Sequence, residues 1–350
     1  MASRSPLGAG VSFAILAAVT FGATTPVIAW AGREAGPLST AALLYAGAAA
    51  IAIALRVFAR GEASLRRGDL PRLIVIALAG AAIAPTALAW GLARTGATVG
   101  ALLLNLEAVF TVALAFAIHR EPIGRRVALA ASAMIAGGAL LALSIDGDAG
   151  GAATSVLGVA AIAGATLAWA LDNTLTRPLA DRDPLDVVAA KASLGAACTT
   201  IAAIVAGEGR PSTRAIAALL ACGATGYGLS LRFYLLAQRR IGAARTGSVF
   251  AIAPFVGAAI AFAAGDRALG ASALGAAALF ALGVILHATE HHHHRHVHEP
   301  LDHDHPHRHD DGHHDHAHDP PFIGEHSHPH HHARVEHDHD HAPDVHHDHH

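Results

Sequence analysis

Four ionisable side chains interrupt long apolar runs of this 350-residue chain: Glu107, Asp172, Lys191 and Arg232. Each costs about 2.5–3.5 kcal/mol at the centre of a membrane helix on insertion scales, and less near its ends. Depth therefore ranks them. Glu107 lies midway along GALLLNLEAVFTVALAFAI (100–118) and is the most expensive. Asp172 and Arg232 lie about one turn from a run's end, and Lys191 about two turns in. A carboxylate placed like Glu107 either hydrogen-bonds a neighbouring helix as a neutral group, binds a cationic group, or carries a coupling proton. Asp172, Lys191 and Arg232 share one depth. They read either as a structural ion cluster joining three helices or as a gate for a charged substrate group. Asn105, two residues from Glu107, faces elsewhere on a helix and is expected to bond between helices.

The second chemistry lies at the C-terminus. Residues 291–350 hold 26 of the 28 histidines, with 13 Asp and Glu against 3 Arg. Histidines recur at every second position: His303, His305, His307 and His309, then His337, His339 and His341, with His313, His314, His316 and His318 between them. Imidazole suits Zn, Ni, Co or Cu, and interleaved aspartates add oxygen ligands. No single finger spacing occurs, so the tract reads as a multi-site chelator. Its lack of apolar residues predicts a disordered segment over 290–350.

The elements that position these groups are membrane helices. The chain is 53% hydrophobic and 15% charged. Ten apolar runs of roughly 18–23 residues each span about 30 Å of hydrocarbon as a helix. They fall near 9–31, 37–58, 72–93, 97–118, 126–144, 155–176, 185–206, 214–236, 242–264 and 268–288. The first could pass for a signal peptide with AWAG (29–32) as its cleavage site, but it is long for that role and the repeat described next needs it. Cys198 and Cys222 lie inside predicted helices and build no disulfide framework. With a cytoplasmic N-terminus, the loops facing the cytosol carry 15 Lys and Arg and the opposite loops carry 5. That bias places both termini in the cytoplasm.

The two halves resemble each other. ATVGALLLNLEAVFTVALAFAIHRE (97–121) lies over AARTGSVFAIAPFVGAAIAFAAGD (243–266), and FGATTPVIAWAGREAGPL (21–38) over WALDNTLTRPLADRDPL (169–185), at an offset of about 147 residues. Five helices per half is an odd number, so the halves enter the membrane from opposite sides, as in many secondary transporters. Thr24 and Thr25 then align with Asp172 and Asn173, while Glu107 has no charged counterpart. Trp30, Trp90, Trp169, Tyr227 and Tyr234 either line an interior site or sit at the interfaces. Pro26, Pro85 and Pro254 lie inside runs and can kink them.

On FGATTP, LEAVFTVALAFAIHREP, LAWALDNTLTR and GAARTGSVFAIAPF, the chain resembles the drug/metabolite transporter superfamily, EamA type, over about residues 8–288. The resemblance implies an all-α integral membrane protein: ten transmembrane helices as two inverted five-helix repeats (1–145 and 146–289) around a central cavity. It also implies alternating-access transport of small organic metabolites or drugs, mostly outward, across a bacterial inner membrane. The family's glycine-and-glutamate pair after the fourth and ninth helices reads HRE (Glu121) and GDR (Asp266) here. The expected substrate or proton site comprises Glu107, Asn105, Thr24, Thr25, Asp172, Asn173, Lys191, Tyr227 and Arg232.

No nucleotide loop, zincin motif or nucleophile elbow occurs, so an enzyme is not expected, and neither is a required cofactor. The expected partners are the lipid bilayer, a small-molecule substrate and divalent transition metals at the tail, with no nucleic acid. Two alternatives stand beside the carrier with a regulatory tail. One is a transition-metal exporter whose tail collects metal, although the membrane body holds only His119 and His287. The other is a membrane-anchored metal store.

Overall fold

The structure is a computed structural model. It describes residues 6–58, 64–120, 123–144, 152–179, 182–241, 243–266, 270–289, 295–298, 301–307, 326–332 and 335–338. The chain divides into two units, Met1–Glu290 and His291–His350.

The first unit is helical and, among the described residues, holds ten helices long and apolar enough to cross a membrane. They are α1 (Gly8–Ala35), α2 (Pro37–Phe58), α3 (Arg67–Thr95), α4 (Ala97–Ile118), α5 (Arg125–Leu143), α6 (Val156–Thr176), α7 (Pro184–Val205), α8 (Thr213–Gln238), α9 (Arg245–Ala263) and α10 (Ala271–Ala288). The ten expected runs reappear in the same places. Val57, Phe58, Leu143, Ile204 and Val205 are more than 70% exposed, an apolar exterior that suits lipid rather than water. Inside, small residues let backbones meet. A methyl on Gly223 would fall onto the Leu44 backbone, the close approach typical of membrane helix pairs.

Successive spans alternate in direction, so their links sort onto two faces. On one face, α1–α2 and α3–α4 are joined by single glycines, Gly36 and Gly96, both at φ 81°. That left-handed turn is open to glycine at little cost. It is called the turn face here, and the opposite one, with Arg56, Arg66, Arg67, Arg125 and Arg126, the arginine face.

Regular helix breaks down at matched places in the two halves. Helix α3 carries a π segment at Ala77–Ile83, and α8 carries one at Gly223–Leu229. Helix α4 breaks between Leu103 and Leu106, and α9 between Phe250 and Ala253. Both intervals lie close to the offset of the sequence repeat. Helix α1 also breaks, at Ala23, whereas α6 runs unbroken across the aligned residues.

The α3 segment has a local cause. The Ala84 N–H reaches back five residues to the Ala79 carbonyl. In that pattern the Gly80 carbonyl would bond residue 85, which is proline and has no N–H. The orphaned Gly80 oxygen instead accepts from the Tyr45 hydroxyl at 2.5 Å and from Trp169 Nε1 at 3.0 Å. One proline thus ties α3 to α2 and α6.

In the second unit, Arg295–His298 pairs antiparallel with Val335–Asp338, and Leu301–His307 with His326–His332. Their alternating composition permits extended pairing, and a two-stranded ladder needs no buried core to form, though it is only marginally stable in water.

Candidate functional site

The break in α4 divides that helix into two environments. Every residue from Ala97 to Leu106 is buried, and none from Glu107 to Ile118 is. On the turn-face side of the break, α4 packs against the Ala253–Ala263 half of α9. A methyl on Gly257 would come within 3.3 Å of Ala101 Cβ and 2.8 Å of the Gly22 carbonyl oxygen. Beyond the break the two helices take different partners. The Leu106–His119 half of α4 packs on α6 and α5, while the Ala243–Phe250 half of α9 packs on α1, α8 and α10. The pair therefore diverges toward the arginine face from a vertex at the two breaks.

Glu107 sits just below that vertex, in the first turn of the resumed helix. A helix N-terminus favours a carboxylate there, so the break lowers the cost of a charge that a regular helix would leave uncompensated. Its Oε1 accepts from Asn173 Nδ2 on α6 at 2.8 Å. The preceding residue, Asp172, is 2% exposed and pairs through Oδ2 with Lys191 Nζ on α7 at 2.5 Å. Thr176 Oγ1 donates to Asp172 Oδ1 at 3.2 Å. One connected group thus spans α4, α6 and α7. Asp172 and Lys191 neutralise each other, which leaves Glu107 as the carboxyl with no ion pair among the described residues, held by a neutral amide.

An aromatic cluster joins α1, α2, α6, α8 and α9. Tyr227 contacts Phe21 at 5.7 Å, Tyr45 at 5.5 Å and Trp169 at 6.4 Å between ring centroids. Phe250 joins Phe21 at 5.5 Å and Tyr234 at 5.2 Å. All 3 tyrosines of the chain gather here. The π segment of α8 carries Tyr227 into the group, and its buried hydroxyl has no hydrogen-bond partner of good geometry among the described residues. Thr24 beside it gives its own proton to the Phe21 carbonyl at 2.6 Å, across the α1 break. Thr25 is buried against α9 near Gly257.

Two expected members do not join. Asn105 makes no bond between helices among the described residues; its Nδ2 turns back to the Leu102 carbonyl at 2.8 Å, which at the break also accepts from Asn105 N at 3.2 Å. Arg232 is half-buried on α8 and makes no ion pair among the described residues, so the expected cluster reduces to Asp172 and Lys191. The tryptophans divide. Trp169 is interior, whereas Trp30 and Trp90 lie toward the turn face beneath Arg214 and Arg94, at 5.1 and 3.4 Å from ring centroid to guanidinium carbon. Sequence reasoning missed Tyr45 and Gly80. The available signal was Pro85, which removes the donor that Gly80 would need.

Of the tail histidines, His303, His305 and His307 lie on one strand, in register with His330, His328 and His326. His337 lies on another strand, in register with His296. His309, His313, His314, His316, His318, His339 and His341 lie outside the described residues, as does Glu121.

Comparison with known proteins places this geometry. The chain is 29% identical over 206 residues to an uncharacterized transporter of Methanothermobacter thermautotrophicus, an alignment covering 57% of this chain and 59% of that protein. The chain thus spans about three-fifths of that relative's length. A crystallised protein of 20% identity superposes with a TM-score of 0.57 over 79% of this chain and 95% of its own, which shows a shared fold. The sequence model of the EamA-like transporter family matches twice, over residues 8–143 and 156–289, once for each five-helix half. The chain is a multi-pass membrane protein and belongs to the EamA-like transporter family.

Proposed function

We propose that this protein is a secondary active carrier that exports small organic metabolites or drugs by alternating access. The supporting observation is the divergence of α4 and α9 from a shared vertex, with Glu107 immediately below it. The seam is closed toward the turn face and parted toward the arginine face. The arginine bias assigns the parted side and both termini to the cytoplasm of a bacterial inner membrane.

Glu107 is the group that binds a cationic moiety of the substrate or carries the coupling proton. A carboxylate whose one side-chain partner among the described residues is an amide has acceptor capacity to spare. The aromatic wall beside it adds favourable surface for a cation. Asp172 and Lys191 hold α6 against α7 and orient Asn173 toward Glu107. Thr24, Thr25 and Tyr227 line the α1 and α8 side of the same region.

The tail binds Zn, Ni, Co or Cu and regulates the carrier or senses metal. A second reading, a transition-metal exporter fed by the tail, draws on the register that sets three histidines opposite three others. The test is a growth screen of cells lacking the gene, complemented by the full chain or by residues 1–290, against amino acids, drugs and divalent metals. Protection against an organic solute that survives removal of the tail supports the carrier. Protection against Ni, Co or Zn alone, lost with the tail, overturns it in favour of the exporter. A body that moves no solute in liposomes leaves the membrane-anchored store.

A further inference from the structure

The single-glycine links leave α2 and α4 with no local side chain to cap their first N–H groups. The caps come from the other half of the chain. Glu208, after α7, accepts from Leu38 N at 3.0 Å through Oε1 and from Ser39 N at 2.7 Å through Oε2. Asp266, after α9, accepts through Oδ2 from Ala97 N at 2.5 Å and Thr98 N at 3.0 Å. Thr98 Oγ1 also donates to the Asp266 carbonyl at 2.8 Å. A third carboxylate works in the reverse sense: Glu34, at the end of α1, accepts from Ser212 N before α8 at 2.8 Å.

A helix cap is ordinarily a local device supplied by the residue before the helix. Here the partners are 168 to 178 residues apart, and each bond joins one half to the other. Asp266 also sits where the closed part of the α4–α9 seam ends. The seam cannot part on the turn face while Asp266, carried by α9, holds the first turn of α4. Uncapping exposes helix-start N–H groups to water at the moment of opening, so the bonds favour the closed arrangement over the open one.

We infer that Asp266 and Glu208 are the latch of the turn face: charged caps made in trans that must release for the carrier to open on that side. They are positioning residues and touch no substrate. The inference needs the seam to move, but its readout is opening rather than transport. Its failure is therefore separate from failure of the carrier reading.

The experiment uses the full chain in nanodiscs, with Cys198→Ser and Cys222→Ala. A reporter Ala101→Cys lies on α4 against Gly257, where the parent is 0% exposed. The rate of its reaction with a bulky water-soluble maleimide measures opening. Asp266→Asn and Glu208→Gln keep shape but exchange a charged acceptor for a weaker neutral one. Each is expected to raise the labelling rate about tenfold, and Asp266→Glu to rise less than Asp266→Asn. Labelling within twofold of the parent in both isosteric variants, with helicity retained, overturns the latch. Loss of helicity in both overturns it as well, since the carboxylates would then hold the fold rather than one of its states.

Discussion

The two halves of α4 share one strand of sequence and lead different lives. Before the break the helix is buried throughout and packs on α9; after it no residue through Ile118 is fully buried, and the helix packs on α6 and α5 and carries Glu107. Helix α9 breaks at the matched place but resumes with Ala253 and Pro254 and no charge. The difference teaches how a repeated scaffold becomes asymmetric. The paired breaks interrupt both halves, and one of them adds a carboxylate at the start of its resumed helix, where the backbone helps to hold it.

That contrast can be broken by removing what holds the charged side together. Asp172→Asn leaves the partly buried Lys191 without its partner. It is expected to destabilise the protein by about 3–5 kcal/mol in thermal or denaturant unfolding, with much of the loss recovered in Asp172→Asn/Lys191→Met. A loss under 1 kcal/mol would mean that water or a neighbouring residue satisfies Lys191.

A smaller effect is expected at Gly80. Tyr45→Phe or Trp169→Phe leaves its carbonyl one donor and costs about 1 kcal/mol in unfolding free energy. The double replacement leaves the carbonyl buried without a donor and is expected to cost more than the sum. Strict additivity would mean that the π segment relaxes to another pairing.

The ten helices were legible because hydrocarbon demands about 20 apolar residues per crossing and leaves the backbone little alternative. The Asp172–Lys191 pair was legible from depth alone. The break was not: α4 carries no proline near it, and Leu104 and Asn105 look like any other stretch of an apolar helix. Asn105 was legible as a polar residue with a bond to make. Its partner was not, because the local pairing of the Leu102 carbonyl is set by the break. The trans caps left a faint mark, two helix starts preceded by a lone glycine. Glu208 could not be assigned to one of them before the halves were brought together.

The tail should contribute least to the membrane body. Removal of residues 291–350 is expected to leave the unfolding midpoint of the body unchanged within error and to abolish high-occupancy binding of Zn or Ni in calorimetry. In the full chain, that binding should be present near neutral pH and collapse below about pH 6, where imidazole takes up protons and ceases to be a ligand. Retention at pH 5 would assign the metal to the aspartates instead.

Glu107 carries the central claim, and transport by Glu107→Gln measures it. The substrate identified by the growth screen would be followed in liposomes, comparing parent, Glu107→Gln and Glu107→Asp at matched reconstitution and helicity. The charge at the vertex is expected to be indispensable: Glu107→Gln loses transport by at least about 100-fold, a barrier increase of roughly 2.7 kcal/mol, while Glu107→Asp retains part of it. Transport by Glu107→Gln within twofold of the parent would contradict the account, reducing Glu107 to a hydrogen bond between α4 and α6.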